Sequence, residues 1–320
     1  MELHHGADLI ECEIGGRPLY LPLLREGSDA LLLDCGTRAH AEVDIPRELS
    51  RLGLDHDSLT WLIITHPDAD HCGGLREMKR RYPKVRLACG EADRALVESP
   101  DYLFSFRYDA YRDDHGIFYD PTTAQKLKDY FSGPQSVNLT FTGGEILRLG
   151  DGEGRLLEIW HLPGHSHGHL GVYDRKHRTL FYGDAIHGAG YKTLSGQWAL
   201  CPTYLYVDTY LQTIRTIEHS NAGTIAGCHW PVCRSADAIR DFCAESRNFV
   251  MLADRLLQDY LRTHPSGATL RELCEGLGGW PPEINLELAC ALSGHLDRGV
   301  AAGMLQVDVS ARPLAYTVCR

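Results

Sequence analysis

The chain has 320 residues, more than one average domain needs, with 43% hydrophobic and 23% charged residues, the balance of a folded protein with a sizeable core. A formal net charge of -11 sets its surface against phosphate backbones and so counts against nucleic acid as a partner. Eleven cysteines in no framework spacing, no basic-then-apolar leader over Met1 to Ile10 and no bilayer-length apolar stretch lead us to expect a cytoplasmic protein without a membrane role.

In chain order, short strands are predicted over Leu9 to Ile14, Leu19 to Leu24 and Ala30 to Leu33, the first two joined by Gly15-Gly16. Leu59 to Thr65 is a run of β-formers that stops at His66-Pro67, as a buried strand feeding a loop does. A helix over Leu75 to Tyr82 ends before Pro83, and Val85 to Ala88 reads as the next strand. Residues 99 to 136 break this pattern with Tyr102, Phe104, Phe106, Tyr108, Tyr111, Phe118 and Tyr119 among many charges, and read as an insertion over a site. Strands resume between Gly144 and Leu170, then at Thr179 to Tyr182 and Thr224 to Gly227, each of the last two ending beside an Asp or a His.

From residue 236 the character changes. Ala236 to Arg262 is compatible with one long helix, followed by a helix over Thr269 to Leu277, a Gly-Gly-Trp-Pro-Pro turn, a helix over Ile284 to Ala302, and two strands at Met304 to Val309 and Leu314 to Val318. This gives two domains, residues 1 to 235 and a winged-helix-like, mainly helical unit at 236 to 320. The charges of its helices nearly cancel, so it fits packing, substrate cover or a homodimer contact better than DNA reading.

The chemistry concentrates in Thr65-His66-Pro67-Asp68-Ala69-Asp70-His71-Cys72-Gly73-Gly74, four potential ligands within six residues. Imidazole and carboxylate donors suit zinc, iron or manganese, and a dication relieves the repulsion between Asp68 and Asp70. Pro163-Gly164-His165-Ser166-His167-Gly168-His169, Tyr182-Gly183-Asp184 and Gly227-Cys228-His229 follow in order. Cys72 and Cys228 read as packed thiols, His167 as exposed, and His169 as a supporting residue rather than a ligand.

This order resembles the metallo-β-lactamase superfamily, over roughly residues 8 to 235. There an HxHxDH motif, a histidine in a PGHSxGH loop, a bridging aspartate and a late histidine build a binuclear site on an αββα sandwich of the α+β class. The resemblance implies one metal on His66 and His165, a second on Asp70, His71 and His229, and Asp184 between them, with Asp34 in a structural turn. Asp68 departs from the pattern by replacing the second histidine, which adds a hard anionic donor and makes iron or manganese alternatives to zinc.

The expected reaction is hydrolysis of a small ester, lactone, thioester or phosphoester by a metal-bound hydroxide, with two divalent ions as cofactors and a small molecule as partner. Asp70 would orient the nucleophile, and His187, Tyr191 or a tyrosine of the insertion would protonate the leaving group. An iron-dependent oxidoreductase and an endoribonuclease with a winged-helix tail are the rival readings.

Overall fold

The computed structural model describes residues 1 to 277 and 286 to 319. Seven strands form the first sheet in sequence order: β1 (Glu2–His4), β2 (Ala7–Ile14), β3 (Arg17–Glu26), β4 (Asp29–Leu33), β5 (Leu59–Ile64), β6 (Arg86–Gly90) and β7 (Leu139–Phe141). Pairing is antiparallel from β1 to β4 and parallel from β4 to β7. The second sheet contains β8 (Ile146–Leu149), β9 (Arg155–His161), β10 (Leu170–Asp174) and β11 (Thr179–Gly183). After a short ribbon of β12 (Tyr191–Lys192) and β13 (Trp198–Leu200), β14 (Thr224–Gly227) joins this sheet parallel to β11. The order is β14-β11-β10-β9-β8.

Two-residue periodicity explains the layers. Along β4 and β5, Leu31, Leu33, Trp61 and Ile63 meet Leu157, Ile159, Val172 and Phe181 of the second sheet, forming the core between sheets. The alternate residues Leu32, Leu62 and Ile64 turn outward, onto Ile45 and Leu49 of the helix Ile45–Arg51 and Leu75 and Met78 of the helix Leu75–Arg81. Strands buried on both faces read as continuous apolar runs, which is why LTWLII lacks polar alternation.

The outer face of the second sheet presents Leu180, Tyr182 and Ile225 to the helices Val207–Glu218 and Ala236–Thr263. Ser235 caps the second of these, accepting from the Ala238 N–H at 3.2 Å. The same apolar cluster runs on through Leu270, Leu292, Leu296, Leu305 and Tyr316 of the C-terminal segment. That segment comprises the helix Leu270–Gly276 with a Thr269/Glu272 capping box, the helix Leu286–Ala301, and a small sheet of β15 (Ala268–Thr269), β16 (Leu305–Asp308) and β17 (Ala315–Val318), ordered β15-β17-β16. The predicted Gly-Gly-Trp-Pro-Pro turn lies outside the described residues.

The insertion at 99 to 136 contains short helices at Pro100–Leu103, Arg112–His115 and Pro121–Asp129 and a wide helical turn at Phe104–Tyr108, with no strand among the described residues. Among the described residues no helix is long and apolar enough to cross a membrane.

Candidate metal centre

Three strands deliver the cluster from their C-terminal ends: β5 leads to His66 through His71, β11 to Asp184 and β14 to His229. The loop between β9 and β10 brings His165. Gly183 makes the turn after β11 with φ +55°, where an added Cβ would sit 2.8 Å from Thr65 Oγ1, so the strand end reaches the site only without a side chain. Gly90 at the end of β6 abuts Gly168 so closely that a Cβ would meet its carbonyl oxygen, which seats the His165 loop against the first sheet. Ser166 donates to the buried Asp93 and fixes that loop.

The structure brings the seven candidate donors together. His165 Nε2 lies 2.9 Å and His66 Nε2 3.5 Å from Asp68 Oδ2. His229 Nε2 lies 3.4 Å from Asp70 Oδ2 and 3.5 Å from Asp184 Oδ2, and His71 Nε2 lies 3.8 Å from each of these carboxylates. A tetrahedral zinc with bonds of about 2.0 to 2.1 Å spaces its donors roughly 3.3 Å apart, so these gaps are near the size one ion spans.

The hydrogen bonds behind each ring set its tautomer. His71 Nδ1 is 2.9 Å from Asp34 Oδ2, His165 Nδ1 2.8 Å from the Thr203 carbonyl, and His229 Nδ1 2.7 Å from the Pro18 carbonyl. Each acceptor demands a proton on Nδ1. Thr65 Oγ1 donates to Asp34 Oδ2 at 2.8 Å and can therefore accept from His66 Nδ1 at 3.0 Å. All four rings then turn Nε2 toward the cluster. His66 Nε2, His71 Nε2 and Asp184 Oδ1 are buried with no hydrogen-bond partner, a cost that a cation removes. The residues present therefore fit a bound divalent metal.

Electrostatics agree. Burial, then the neighbouring His71 and His165, hold the His66 imidazole well below its ordinary pKa, so it is neutral. Burial acts against protonation of His71, but Asp184, Asp34 and Asp70 outweigh it and push its pKa well up: this pocket draws positive charge. Asp70 stays ionised because His71 and His229 overcome its burial.

Asp34, the predicted structural turn, is buried with φ +61° and receives the backbone and side chain of Thr65 as well as His71. His169 accepts the Asp184 N–H at 3.2 Å, His167 is exposed and stacks on Tyr206, and burial raises the thiol pKa of both Cys72 and Cys228. Tyr191 lines the cavity and donates to Asp184 Oδ2 at 3.1 Å. His187 is fully buried, with its Nδ1 2.9 Å from the Tyr210 hydroxyl and its Nε2 3.4 Å from Thr203 Oγ1.

A cavity of about 260 Å³ opens over Asp68, Asp70, Asp184 and His229. Its walls include Tyr108, Tyr111, Tyr119 and Tyr130 of the insertion and its flank, Arg17 after the Gly15-Gly16 turn, and Cys290 of the C-terminal segment. Sequence reasoning missed Arg107, which forks onto Asp68, with Nη2 2.9 Å from Oδ2 and Nε on Oδ1, and also meets His165. It missed Thr203 and Arg17 as well, since nothing in their local sequence marks either.

The family model for the metallo-beta-lactamase superfamily matches residues 23–229. An acyl-coenzyme A thioesterase, MBLAC2, of Gallus gallus is 28% identical over 125 residues, covering 39% of this chain and 41% of that protein. A hydroxyacylglutathione hydrolase of Synechococcus sp. (strain JA-2-3B'a(2-13)) is 27% identical over 180 residues, covering 54% of each. This chain thus spans about half the length of the curated relatives it matches. Among solved structures, a metallo-beta-lactamase family protein of Thermus thermophilus superposes with a TM-score of 0.75 at 20% identity, covering 99% of this chain and 100% of that one. That similarity concerns the fold alone. With the family model matched over more than half its length, and on a fold of two facing sheets flanked by helices, the chain belongs to the metallo-beta-lactamase superfamily.

Proposed function

We propose that this protein is a metal-dependent hydrolase of a small acyl substrate, and that the substrate is a thioester. The observation that carries the metal requirement is the convergence of four Nε2 atoms and three carboxylates, with His66, His71 and Asp184 left holding unpaired buried atoms. His66, Asp68, His165 and Asp184 would hold one divalent ion, and Asp70, His71, His229 and Asp184 another. A metal there supplies Lewis acidity toward the acyl oxygen and activates water near neutral pH.

The chain's own residues account for the rest. Asp70, ionised and lining the cavity, accepts a hydrogen bond from the attacking water and orients it. Tyr191 keeps its proton through burial beside Asp184 and holds that carboxylate in place. Tyr108 accepts the Ala69 N–H at 2.9 Å, which orients its hydroxyl over the cavity. Tyr191 spends its proton on Asp184 and His187 is sequestered behind Thr203, so a leaving group that needs no acid suits these two positions. A thiolate, with a conjugate acid near roughly 8.5, departs without one. That favours a thioester over an oxygen ester or phosphoester, in line with the thioesterase named among the relatives.

Arg17, whose Nε is buried without a partner on the cavity wall, suits an acyl compound with a carboxylate or phosphate. The paired Arg107 cancels the extra negative charge of Asp68, which removes the charge argument for iron or manganese and leaves zinc the simpler choice. The C-terminal segment meets the insertion through Tyr111 and Ser293 (2.8 Å) and supplies Cys290 to the cavity, which suits a cover over a small substrate.

The test is a substrate panel assayed before and after chelation. Acyl thioesters with an anionic group should be cleaved at least tenfold faster, in kcat/KM, than matched oxygen esters, lactones or phosphodiesters. Chelation should abolish turnover and zinc restore it. Undiminished thioester cleavage by metal-free protein would rule the mechanism out.

A further inference from the structure

Resting on the metal-dependent reading above, we propose that Arg107 is a built-in cation that makes the two metal positions unequal. The position faced by Asp70, His71, His229 and Asp184 loads first, and the one faced by His66, Asp68 and His165 loads at least tenfold more weakly.

The two donor groups differ in what already touches them. Around Asp70 and His229, the atoms that would bind an ion meet one another at 3.4 to 3.8 Å and, among the described residues, form no ion pair with an arginine or lysine. Around Asp68 the picture changes. The Arg107 guanidinium, only 11% exposed, engages both oxygens of the Asp68 carboxylate, and its Nη2 stands 3.0 Å from His165 Nε2. Its Nη1 also donates to the His165 carbonyl at 3.2 Å, so the fork is held at three points and cannot swing aside without breaking all of them.

An ion entering beside Asp68 and His165 must share the carboxylate with a guanidinium and displace it from the imidazole lone pair. It also sits against a fixed positive charge in a buried pocket, where Coulomb repulsion is poorly screened. A carboxylate clamped in this way is both less basic and less available than Asp70. Arg107 comes from the wide turn at Phe104–Tyr108, so the insertion that walls the cavity also sets the metal loading.

The experiment is a zinc titration of the metal-stripped full chain against a competing chelating dye, with elemental analysis of bound zinc per chain after dialysis. The wild type should show two affinity classes at least tenfold apart. His229→Ala should remove the tight class, and His66→Ala the weak one. Arg107→Met should tighten the weak class tenfold or more while moving the tight class less than twofold, whereas Arg107→Lys, which retains the charge, should keep most of the gap.

Two equal classes in the wild type, or loss of the weak class in Arg107→Met, would overturn the inference. The wild-type titration decides even if a variant folds poorly. Absence of bound zinc in every protein would instead remove the metal-dependent reading itself, and this inference with it.

Discussion

Among the described residues, two histidine-carboxylate clusters invite comparison, and only one of them calls for an ion. The first is the candidate centre. In the second, near the β1 end of the sandwich, His4 stacks on His177 at 3.9 Å and both approach Asp174, a grouping that by composition alone would equally suit a metal. There, however, Asp174 already accepts from Arg155 Nη2 at 2.6 Å, from His177 Nδ1 at 2.7 Å and from the Lys176 N–H at 3.1 Å. Arg155 Nη1 donates to the Gly6 and Arg25 carbonyls, while Arg155 Nε and His4 Nε2 have no hydrogen-bond partner. The positive charge is covalently part of the fold, whereas at the centre the carboxylates of Asp70 and Asp184 face imidazole Nε2 atoms of His71 and His229. What separates a ligand set from a structural cluster is therefore whether the fold already supplies the carboxylate's counter-charge, as Arg155 does for Asp174, and not the residue types or a single orphaned nitrogen such as His4 Nε2.

The largest expected effect breaks the comparison at its metal end. His71→Ala removes one orphaned Nε2 and leaves the fold anchored by the surrounding sheet, so kcat/KM should fall at least a thousandfold, roughly 4 kcal/mol of lost transition-state stabilisation. Bound metal should fall with it, while far-ultraviolet circular dichroism stays near wild type. Activity retained within tenfold would mean that the orphaned His71 Nε2 has no function.

Next comes the structural end. Arg155 and Asp174 are both inaccessible to solvent, so Arg155→Met leaves a buried carboxylate without its main partner and should destabilise the fold by about 3 to 5 kcal/mol. The check is the denaturant midpoint. Metal content and kcat of the folded fraction should be unchanged, since Arg155 touches nothing at the centre. A midpoint equal to wild type would show that the internal cation is dispensable.

The centre was the more legible of the two in the sequence, for a physical reason. Four donors within six residues after a β-run constrain one another locally, and strand ends at Gly183 and Gly227 signal delivery to a common edge. Asp174, Arg155 and His4 come from separate strands and flanks with no shared spacing. Arg107 was illegible for the same reason: it lies 39 residues from Asp68 and 58 from His165, and its meaning exists only in the contact. The helix Val207–Glu218 also escaped notice, although Val207, Tyr210, Ile214 and Ile217 share a buried face. Its several threonines have weak helix propensity, and packing on the second sheet overrides them.

The smallest effect, and the sharpest on sign, concerns pH at the structural cluster. Burial would raise the pKa of Asp174, but the hydrogen bond and charge of Arg155, helped by His177, override it and hold the carboxyl below its ordinary value. The unfolded chain therefore takes up a proton at this position before the folded one does. The resulting stabilisation is complete above the unfolded carboxylate range, near roughly pH 4, and drains away as pH falls toward the lower folded value. Asp174→Asn has no such proton to bind. The gap in thermal midpoint between wild type and Asp174→Asn should consequently be widest near neutral pH and narrow on acidification below about pH 4. A gap that stayed constant across that range would mean Arg155 does not hold the carboxylate ionised, and the contrast between the two clusters would lose its electrostatic basis.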